Sequence, residues 1–433
     1  MSDWQSVPLI NIAKPGRENF IDGDWIEAQY IASEGVRLIQ TGNVGVGEFK
    51  NKNKKFISLE SFNELGCRDV YPGDLLICRL AEPAGRACIV PELEENKFIT
   101  SVDVTIFRVN EDLFDKEYVH QSINTQEFLD RCQEVAGGTT RTRISRSNLG
   151  GLTLLCPPLK QQQKIAKILS TVDNLIEKTQ TLIDKYTAIK QGMMADLFTR
   201  GIDMTSGDTP NSKGGKLRPS VEDAPELYKQ TELGWVPKEW EVVLLDDIST
   251  RGSGHTPSKS FPEYWNGGIK WVSLADSKKL DNLYIHETDN NISELGLQNS
   301  SATKHPKGTV ILSRDAGIGK SAILAEEMAV SQHFMAWSCG SALDDYFLYF
   351  WLQKMKPNFN AIAMGSTIPT IGLDYFKRLK IAVPKDVKEQ ETIGKRVLKV
   401  FEKNVALKAE KKKYELIKKG LMQDLLTGKV KVN

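Results

Sequence analysis

Residues 160–199 read KQQQKIAKILSTVDNLIEKTQTLIDKYTAIKQGMMADLFT, and the chain of 433 residues contains this stretch twice. A shift of 228 positions places it, without a gap, on residues 388–427, and 14 of the 40 aligned residues are identical. Each copy follows about one domain's length of less similar sequence. A repeat of this size exceeds the roughly 20–50 residues of a solenoid unit. The pattern therefore indicates a duplicated half-protein.

Both copies predict long helices whose apolar residues follow heptad spacing, with alternating steps of four and three. Forty helical residues would span about 60 Å, too far to be buried in one small domain. We therefore predict that the two helices pair antiparallel as a coiled-coil spacer, and not that each is an unrelated amphipathic core helix. The predicted seam is Ile165, Leu169, Val172, Ile176, Thr179, Ile183 and Tyr186 in the first copy and Ile393, Val397, Val400, Asn404, Leu407, Lys411 and Tyr414 in the second. The polar pair Asn404 and Lys411 would fix its register.

The overall composition is that of an ordinary globular protein, with 40% hydrophobic and 26% charged residues and a net charge of +1. No apolar run approaches 18 residues and no leader pattern is visible, so we expect neither a membrane span nor a signal peptide. The six cysteines form no C-x-x-C pair. This favours reduced thiols in a cytoplasm and disfavours structural zinc.

The length predicts two to three domains, and we expect an α+β fold in which two pseudo-repeated α/β globular modules are separated by the paired helices. The predicted boundaries are 1–157 for the first module, 158–202 for its helix, 203–232 for a linker rich in Gly, Ser, Thr and Pro, 233–385 for the second module and 386–433 for its helix. In the first module, strands are predicted at Gly35–Gln40, Asp74–Cys78, Ala87–Val90 and Ser101–Val109, and one helix at Glu117–Cys132.

Short segments of the second module are similar in sequence to segments at corresponding places in the first. Trp4 and Trp240 each precede a short apolar run, Arg37–Gln40 (RLIQ) parallels Lys270–Ser273 (KWVS), and Gly73–Arg79 parallels Gly308–Arg314. The intervening residues differ. A common scaffold with divergent loops is expected of two modules that each bind something different.

No catalytic constellation or metal site is predicted. Residues 317–321, GIGKS, resemble the end of a phosphate-binding loop, but the pattern requires glycine where Arg314 stands. We therefore interpret this segment as a tight glycine turn after a strand. No G-x-G-x-x-G fingerprint occurs, and the five histidines lack metal-ligand spacing.

Polar and basic residues cluster on predicted loops in both modules, around residues 41–43, 141–148 and 251–259. Arg, Asn, Gln, Ser and Thr are the residue types that contact phosphates and base edges. Any single run is also consistent with an ordinary solvated loop. Their presence in both modules favours nucleic-acid binding.

The architecture resembles the specificity (S) subunit of type I restriction–modification systems. The matching segments are Pro158–Ile165 (PLKQQQKI), Gly192–Thr199 (GMMADLFT), Lys388–Ile393 (KEQETI), Gly420–Gly428 (GLMQDLLTG) and Leu233–Trp240 (LGWVPKEW). The last is similar to the family's lead-in to a target recognition domain. The resemblance covers essentially the whole chain. Two departures are that Gln161 stands where the second copy has Glu389, and Cys156 where it has Pro384.

The resemblance implies a non-catalytic, DNA-reading scaffold. Each module would be a target recognition domain that reads half of a split, asymmetric site in double-stranded DNA, and the helices would set the spacing. The partners would be two methyltransferase (M) and two restriction (R) subunits, with no membrane. S-adenosylmethionine, ATP and Mg would bind those subunits, and no cofactor or metal is expected on this chain. The assembled complex would methylate adenine N6 and cleave DNA with ATP.

From loop position and residue type we predict a set of DNA-contacting side chains: Thr41, Asn43, Arg79, Arg86, Arg141 and Arg143 in the first module, and His255, Lys270, Arg314, Lys320, Gln332 and Thr367 in the second. Two other functions stay open at the level of sequence. One is a coiled-coil adaptor that does not read DNA. The other is an enzyme acting alone, either an NTPase with an unusual phosphate loop or a methyltransferase.

Overall fold

The computed structural model describes residues 4–138, 142–205, 215–365 and 369–432. The chain divides into two compact units. The first unit comprises Met1–Gln180 and Lys408–Asn433, and the second comprises Thr181–Leu407. Each unit contains one globular module and part of each long helix.

The first module is built on two four-stranded sheets. Its strands are β1 (Gln5–Pro8), β2 (Phe20–Asp22), β3 (Ile31–Ala32), β4 (Val36–Ile39), β5 (Lys55–Ile57), β6 (Leu75–Cys78), β7 (Ala87–Ile89), β8 (Phe98–Thr100), β9 (Val104–Phe107) and β10 (Thr153–Cys156). Its helices are α1 (Leu9–Ile12), α2 (Leu59–Glu64), α3 (Lys116–Ile123), α4 (Gln126–Glu134) and α5 (Arg146–Gly151). The sheet orders are β2-β9-β6-β7 and β3-β5-β4-β8.

The four predicted strands are present, with ends that differ by no more than three residues. The stretch predicted as helical, Glu117–Cys132, is helical except for a break at Asn124 and Thr125. The structure has two helices there, because the chain leaves helical geometry at Asn124, where φ is −92° and ψ is 12°. Thr125 then starts α4 as its N-cap, and its Oγ1 accepts a hydrogen bond from the backbone N–H of Phe128 (3.3 Å). A threonine inside an apolar pattern therefore ended one helix and began the next.

The first long helix, α6, spans Leu159–Leu197 and begins directly after the Pro157–Pro158 pair. The second module follows with β11 (Ile202–Asp203), β12 (Lys216–Leu217), β13 (Tyr228–Thr231), β14 (Gly234–Pro237), β15 (Trp240–Leu244), β16 (Ser249–Gly252), β17 (Trp265–Val272), β18 (Tyr284–Ile285), β19 (Asn290–Ile292), β20 (Lys304–His305), β21 (Val310–Ser313), β22 (Ser321–Leu324), β23 (Met328–Val330), β24 (Phe334–Cys339) and β25 (Lys380–Pro384). Its helices are α7 (Leu245–Ile248), α8 (Glu294–Gln298), α9 (Asp345–Ile362) and α10 (Leu373–Lys377), and the second long helix, α11, spans Val387–Leu425.

The two modules share the pairings of their central strands, as the sequence parallels predicted, although their outer strands differ. In each, the first strand pairs antiparallel with the strand that leads into the long helix: β1 with β10, and β15 with β25. The RLIQ and KWVS segments form β4 and β17, which pair parallel with β8 and β23. β6 lies between β7 and β9, as β21 lies between β22 and β24. The duplication therefore extends through the globular modules.

Within the first unit, the beginning of α6 packs antiparallel against the end of α11. The Nζ atom of Lys418 lies 2.6 Å from a carboxylate oxygen of Asp173. Residues nearer the start of α6 contact residues nearer the end of α11, as expected for antiparallel helices. This part forms a core cluster with a residue of α3, consisting of Tyr118, Ile165, Ala166, Leu169, Leu425 and Leu426.

Within the second unit, the end of α6 packs antiparallel against the beginning of α11. The Asn404 side-chain nitrogen donates to the carbonyl of Ile183 (3.0 Å) and to Oγ1 of Thr187 (2.9 Å). One turn further, the Lys190 ammonium lies 5.4 Å from the ring centre of Phe401. Every predicted seam residue is buried or half-buried. Asn404 thus joins α11 to α6 in one register through directional bonds.

A glutamine at the start of each long helix attaches the module to its helix. Gln162 accepts from the backbone N–H of Asp115 (2.9 Å) and donates to the carbonyl of Pro157 (2.8 Å). Gln390 likewise accepts from Asp344 N–H (3.0 Å) and donates to the carbonyl of Pro384 (2.9 Å). Asp115 and Asp344 are the N-caps of α3 and α9. Both glutamines are 1% exposed, so the two copies use the same buried junction.

Glu389 gives the second junction an additional ion pair. Its carboxylate accepts from both terminal nitrogens of Arg218 (2.6 and 3.1 Å), from Ile202 N–H (2.8 Å) and from Trp240 Nε1 (3.1 Å). Gly201 adopts a φ of +64° at this point, and a Cβ there would lie 2.4 Å from the Glu389 carboxylate. The cluster joins the segment after α6 to the start of α11, which explains why Glu389 differs from Gln161.

We predict that Arg218→Met lowers the free energy of unfolding of the second unit by about 3–5 kcal/mol, because it leaves the buried Glu389 carboxylate without its cation. Urea unfolding of the full chain, monitored by tryptophan fluorescence, would measure the loss in free energy. The double variant Arg218→Met/Glu389→Gln removes both charges and should recover part of it. A double variant no more stable than the single one would contradict this account.

Asn404→Ala should reduce the free energy of unfolding by about 1–2 kcal/mol, because two buried hydrogen bonds of roughly 0.5–1.5 kcal/mol each are lost. Lys411→Ala is the matched control, since Lys411 lies in the same seam and pairs with Glu415 one turn away on its own helix (3.3 Å). The control should cost less than about 0.5 kcal/mol. Equal losses in the two variants would show that Asn404 has no special role.

Candidate nucleic-acid interface

In the first module, Asn43 anchors the loop between β4 and β5. Its Oδ1 accepts from Gln40 N–H (2.9 Å), and its Nδ2 donates to the carbonyls of Lys50 (2.9 Å) and Lys52 (2.7 Å). The residue is 3% exposed. All of these bonds are internal, so in this structure Asn43 positions the loop from within. A direct contact of Asn43 with DNA stays a prediction.

Arg86 holds the same loop from the other side. Its guanidinium donates to the carbonyls of Val44 (2.8 Å), Thr41 (3.0 Å), Leu80 (2.8 Å) and Pro83 (2.8 Å). Four carbonyl acceptors leave this side chain little capacity for a phosphate. Thr41 itself lies half-buried at the start of the loop.

The loop that these residues position carries a basic run that our sequence prediction missed. Lys50–Lys55 reads KNKNKK, and most of it is exposed. Two of its lysines pair with Glu48 (3.5 Å) and Glu95 (2.8 Å). Within the described ranges, no ion pair occupies Lys52 or Lys55. The sequence alone could have identified this run, since four of its six residues are lysines. Exposed lysines are suited to contact DNA phosphates.

Arg79 and Arg314 occupy equivalent places in the two modules and make equivalent internal bonds. Arg79 donates to the carbonyl of Ile144 (3.1 Å) and pairs with Asp22 (3.0 Å), and Arg314 donates to the carbonyl of Ile371 (2.9 Å). In return, the N–H groups of Ile144 and Ile371 bond to the arginine carbonyls. Burial lowers the pKa of Arg79. Both side chains brace the segment before the long helix, and their contact with DNA stays a prediction.

Arg143 is more accessible than Arg79 and Arg86, the other predicted arginines of the first module that the structure describes. Its side chain is 43% exposed, and its Nε lies 2.9 Å from a carboxylate oxygen of Asp103. Two other predicted residues, Arg141 and Thr367, lie outside the described residues.

In the second module, two tryptophans fasten the loop that follows β16. Trp271 Nε1 donates to the carbonyl of His255 (3.0 Å), and Trp265 Nε1 donates to the carbonyl of Ser258 (3.2 Å). The two rings meet edge to face, 5.3 Å apart. The indole N–H groups therefore hold the loop backbone while the side chain of His255 is exposed.

A third bond joins this loop to the turn between β23 and β24, where Thr256 Oγ1 lies 2.6 Å from Gln332 Oε1. Beside it lies a pocket of about 290 Å³, whose lining includes Thr256, Lys259, Trp265, Trp271, Asn290 and His333. The structure thus brings together the predicted His255 and Gln332 with Lys259, which belongs to the basic run at residues 251–259, and with His333, which was not predicted.

Lys270 and Lys320 are engaged inside the module. The Lys270 ammonium contacts Glu326 and Glu287, and its hydrogen bonds to these carboxylates, first that to Glu326, raise its pKa. Lys320 Nζ donates to the carbonyl of Ser277 (3.0 Å). The turn before Lys320 has a φ of +107° at Gly317 and of +79° at Gly319. It is the tight glycine turn that the sequence predicted.

The described ranges contain no group of three or more His, Cys, Asp or Glu side chains that could hold a metal ion. Among those same residues, no helix combines the length and the apolar character that a membrane span needs. Burial raises the pKa of the Cys88 and Cys132 thiols to about 12, so these cysteines are protonated packing residues.

Comparison with known proteins agrees with this geometry. Relatives include the specificity subunits of the type I restriction enzymes MjaIX (31% identical, covering 44% of each chain) and MjaVIII (27%, covering 74% of this chain and 71% of the relative) from Methanocaldococcus jannaschii. The HindI specificity subunit of Haemophilus influenzae is 22% identical over 99% of this chain and 100% of its own length. The alignments thus span less than half of the MjaIX subunit but the whole of the HindI subunit.

The fold is similar to that of solved S subunits. The crystal structure of a type I restriction–modification S subunit from M. genitalium superposes with a TM-score of 0.60 at 15% identity, covering 98% of this chain and 96% of the other. A chain from a structure describing complex assembly of a type I system gives 0.52 at 14% identity, covering 98% of both.

A family model described as "Type I restriction modification DNA specificity domain" matches residues 3–186 and 237–418. The two segments coincide with the two copies of module and helix, and together they make up most of the chain. The protein therefore belongs to the type I restriction–modification DNA specificity family.

Proposed function

We propose that this chain is the sequence-specificity subunit of a type I restriction–modification complex and reads a split, asymmetric site in double-stranded DNA. The observation that carries the proposal is that two modules with the same central strand pairings, each attached to a copy of one long helix, present different loops. The first module presents lysines at Lys50–Lys55, and the second presents His255, Lys259 and Gln332. Two different readers on one scaffold suit two different half-sites.

The paired helices would serve as the spacer between half-sites. α6 and α11 each contain 39 residues, which corresponds to about 58 Å at 1.5 Å per residue. Half-sites read from one face of DNA would lie about one helical turn, ~34 Å, or a multiple apart. The rigid hydrogen bonds of Asn404 suit a spacer that must keep one register.

The outer surface of α6 supports the docking of methyltransferase subunits. Ile168, Leu175, Leu182 and Ile189 follow each other at intervals of seven residues, and each is 36–41% exposed. Apolar residues at heptad spacing form a stripe that suits a partner helix. Two methyltransferase and two restriction subunits would complete the complex.

The chemistry would belong to those partner subunits. S-adenosylmethionine, ATP and Mg would bind there, and methylation of adenine N6 would require the base to leave the stack. This chain would act without catalysis, by holding DNA in register. Its six cysteines are free thiols, which suits the reducing cytoplasm where we place the complex.

Arg143→Ala should weaken or relax the reading of one half-site only, because Arg143 belongs to the first module alone. Methylated adenines would be mapped in DNA from cells that carry the chain with its methyltransferase partner. The map of wild-type cells gives both half-sites and their spacing. Equal losses at both half-sites would contradict modular reading, and an absence of any sequence-specific methylation would contradict the proposed function.

The double variant Lys52→Ala/Lys55→Ala should weaken DNA binding without changing the motif, because phosphate contacts carry no sequence information. The slope of log K against log salt should become shallower by about 1–2, since each neutralised phosphate contributes about 0.9. Binding to labelled duplex would be measured over a salt series. Lys385→Ala/Lys395→Ala removes two exposed lysines that pair with Glu241 and Glu391, and this control should leave the slope unchanged.

A further inference from the structure

Asp315 and His333 form a pair that neither the sequence nor the family match assigns to any role. Asp315 lies two residues after the end of β21, and His333 lies in the turn between β23 and β24. His333 Nδ1 lies 2.7 Å from Asp315 Oδ2. Asp315 is 6% exposed, whereas the His333 side chain is 31% exposed. A buried carboxylate therefore holds a ring that reaches the surface.

The pair is fixed by the backbone on both sides. Ser313 Oγ donates to the carbonyl of Asp315 (2.6 Å), and Arg314 N–H donates to the carbonyl of His333 (3.0 Å). The second carboxylate oxygen of Asp315 is buried and has no hydrogen-bond partner among the described residues. A surface ring held this firmly loses little conformational entropy when it binds a ligand.

The geometry sets which ring atom is available. Because the carboxylate accepts the Nδ1 proton, it fixes the tautomer and the orientation of the ring. Nε2 is then the atom left for a ligand. His333 also lines the pocket beside the loop that the two tryptophans fasten. The arrangement is a preorganised contact point on the surface where the second module would meet DNA.

The neighbouring groups are mainly hydrogen-bond donors. Lys259 is exposed at the rim of the pocket and can only donate. Gln332 Oε1 already accepts from Thr256, so the Gln332 amide nitrogen is the part left for a ligand. Guanine is the base that presents two acceptors, N7 and O6, in the major groove. These two donors therefore suit guanine, and Nε2, which accepts in the tautomer that Asp315 fixes, suits the N4 amine of the cytosine paired with it.

We propose that His333, positioned by Asp315, contacts a G·C base pair in the half-site that the second module reads, with Nε2 accepting from the cytosine N4 amine. Gln332 and Lys259 donate to the guanine of the same pair. This inference rests on the proposed function, and it assigns a base and a reader residue within it. Asp315 is a positioning residue, since it touches the ring and not the DNA.

The test is selection of bound duplexes from a randomised double-stranded DNA library by the full chain in complex with its methyltransferase partner. Wild type should enrich a two-part motif, and enrichment of no motif would remove the proposed function itself. His333→Ala should reduce the preference at one G·C position about tenfold, the size of one good base contact. The other half-site should keep its full preference.

His286→Ala is the matched control, because His286 is an exposed histidine of the same module that does not line the pocket. It should select the wild-type motif. His333→Gln keeps a hydrogen-bond acceptor at nearly the same place and should recover part of the preference. Thermal unfolding of each variant, compared with wild type, separates loss of contact from loss of fold.

Asp315→Asn tests whether Asp315 positions the His333 ring or only supports the fold. The asparagine amide can either donate to Nδ1 or accept from it, so the ring is no longer held in the tautomer whose Nε2 accepts. Asp315→Asn should therefore lower the preference at the same G·C position while the thermal unfolding of the variant stays that of wild type. A His333→Ala motif identical to wild type, a loss spread over both half-sites, a loss at an A·T position, or an unchanged preference in Asp315→Asn would overturn the proposal.

Discussion

The structure depends on the attachment of each module to its long helix through a buried glutamine. Gln162 and Gln390 each satisfy an N–H at the start of a module helix and a carbonyl at the end of the strand before the long helix. Both hydrogen-bonding ends of the amide are used, so the cost of burying it is offset. Because these bonds join the start of each helix to its own module, a displacement of the helix start moves the module with it. A reader whose loops must meet DNA at a fixed place requires that constraint.

Periodicity and repetition made the scaffold predictable. The duplicated stretch fixed the existence and the extent of α6 and α11, and heptad spacing found the residues that pack between them, because burial of one helix face leaves a regular mark on the sequence. The short parallels, such as Arg37–Gln40 with Lys270–Ser273, found equivalent strands of the two modules for the same reason. The break at Thr125 was missed, because its cap depends on one side-chain bond that competes with an otherwise helical pattern.

The sequence contains no comparable pattern that shows in which direction a polar side chain points. Asn43, Arg86 and Arg314 have the composition of DNA readers, yet their donors satisfy carbonyls of the protein itself. Residue type gives the chemistry of a group and not its orientation. His333 was missed because its partner Asp315 lies 18 residues away in the sequence. The pairing of β21 with β24 brings the two residues together, and no local pattern indicates it. The lysines at Lys50–Lys55 form a visible run in the sequence, but they were missed because they follow no helical or strand periodicity.

The two modules show how one backbone presents different chemistry. Asn43 and Asp276 stand at the same point after equivalent strands, and each closes a capping box with the residue three positions earlier. Asn43 then bonds two lysine carbonyls, whereas Asp276 accepts from the Lys279 ammonium (2.9 Å) and from Asp289 N–H (2.9 Å). The turn is preserved while the loop beyond it takes another course. The half-site that each module reads can therefore differ without a change in the strands that support it.

The first unit is assembled from two distant parts of the chain, since it combines Met1–Gln180 with the segment that begins at Lys408. During synthesis, the apolar face formed by Ile165 and Leu169 leaves the ribosome long before Leu425 and Leu426, which cover it in the finished protein. The second unit is continuous in sequence and meets no such delay. The nascent chain must therefore keep one half of a helix pair exposed while an entire domain is translated, and the first unit closes last although its sequence comes first.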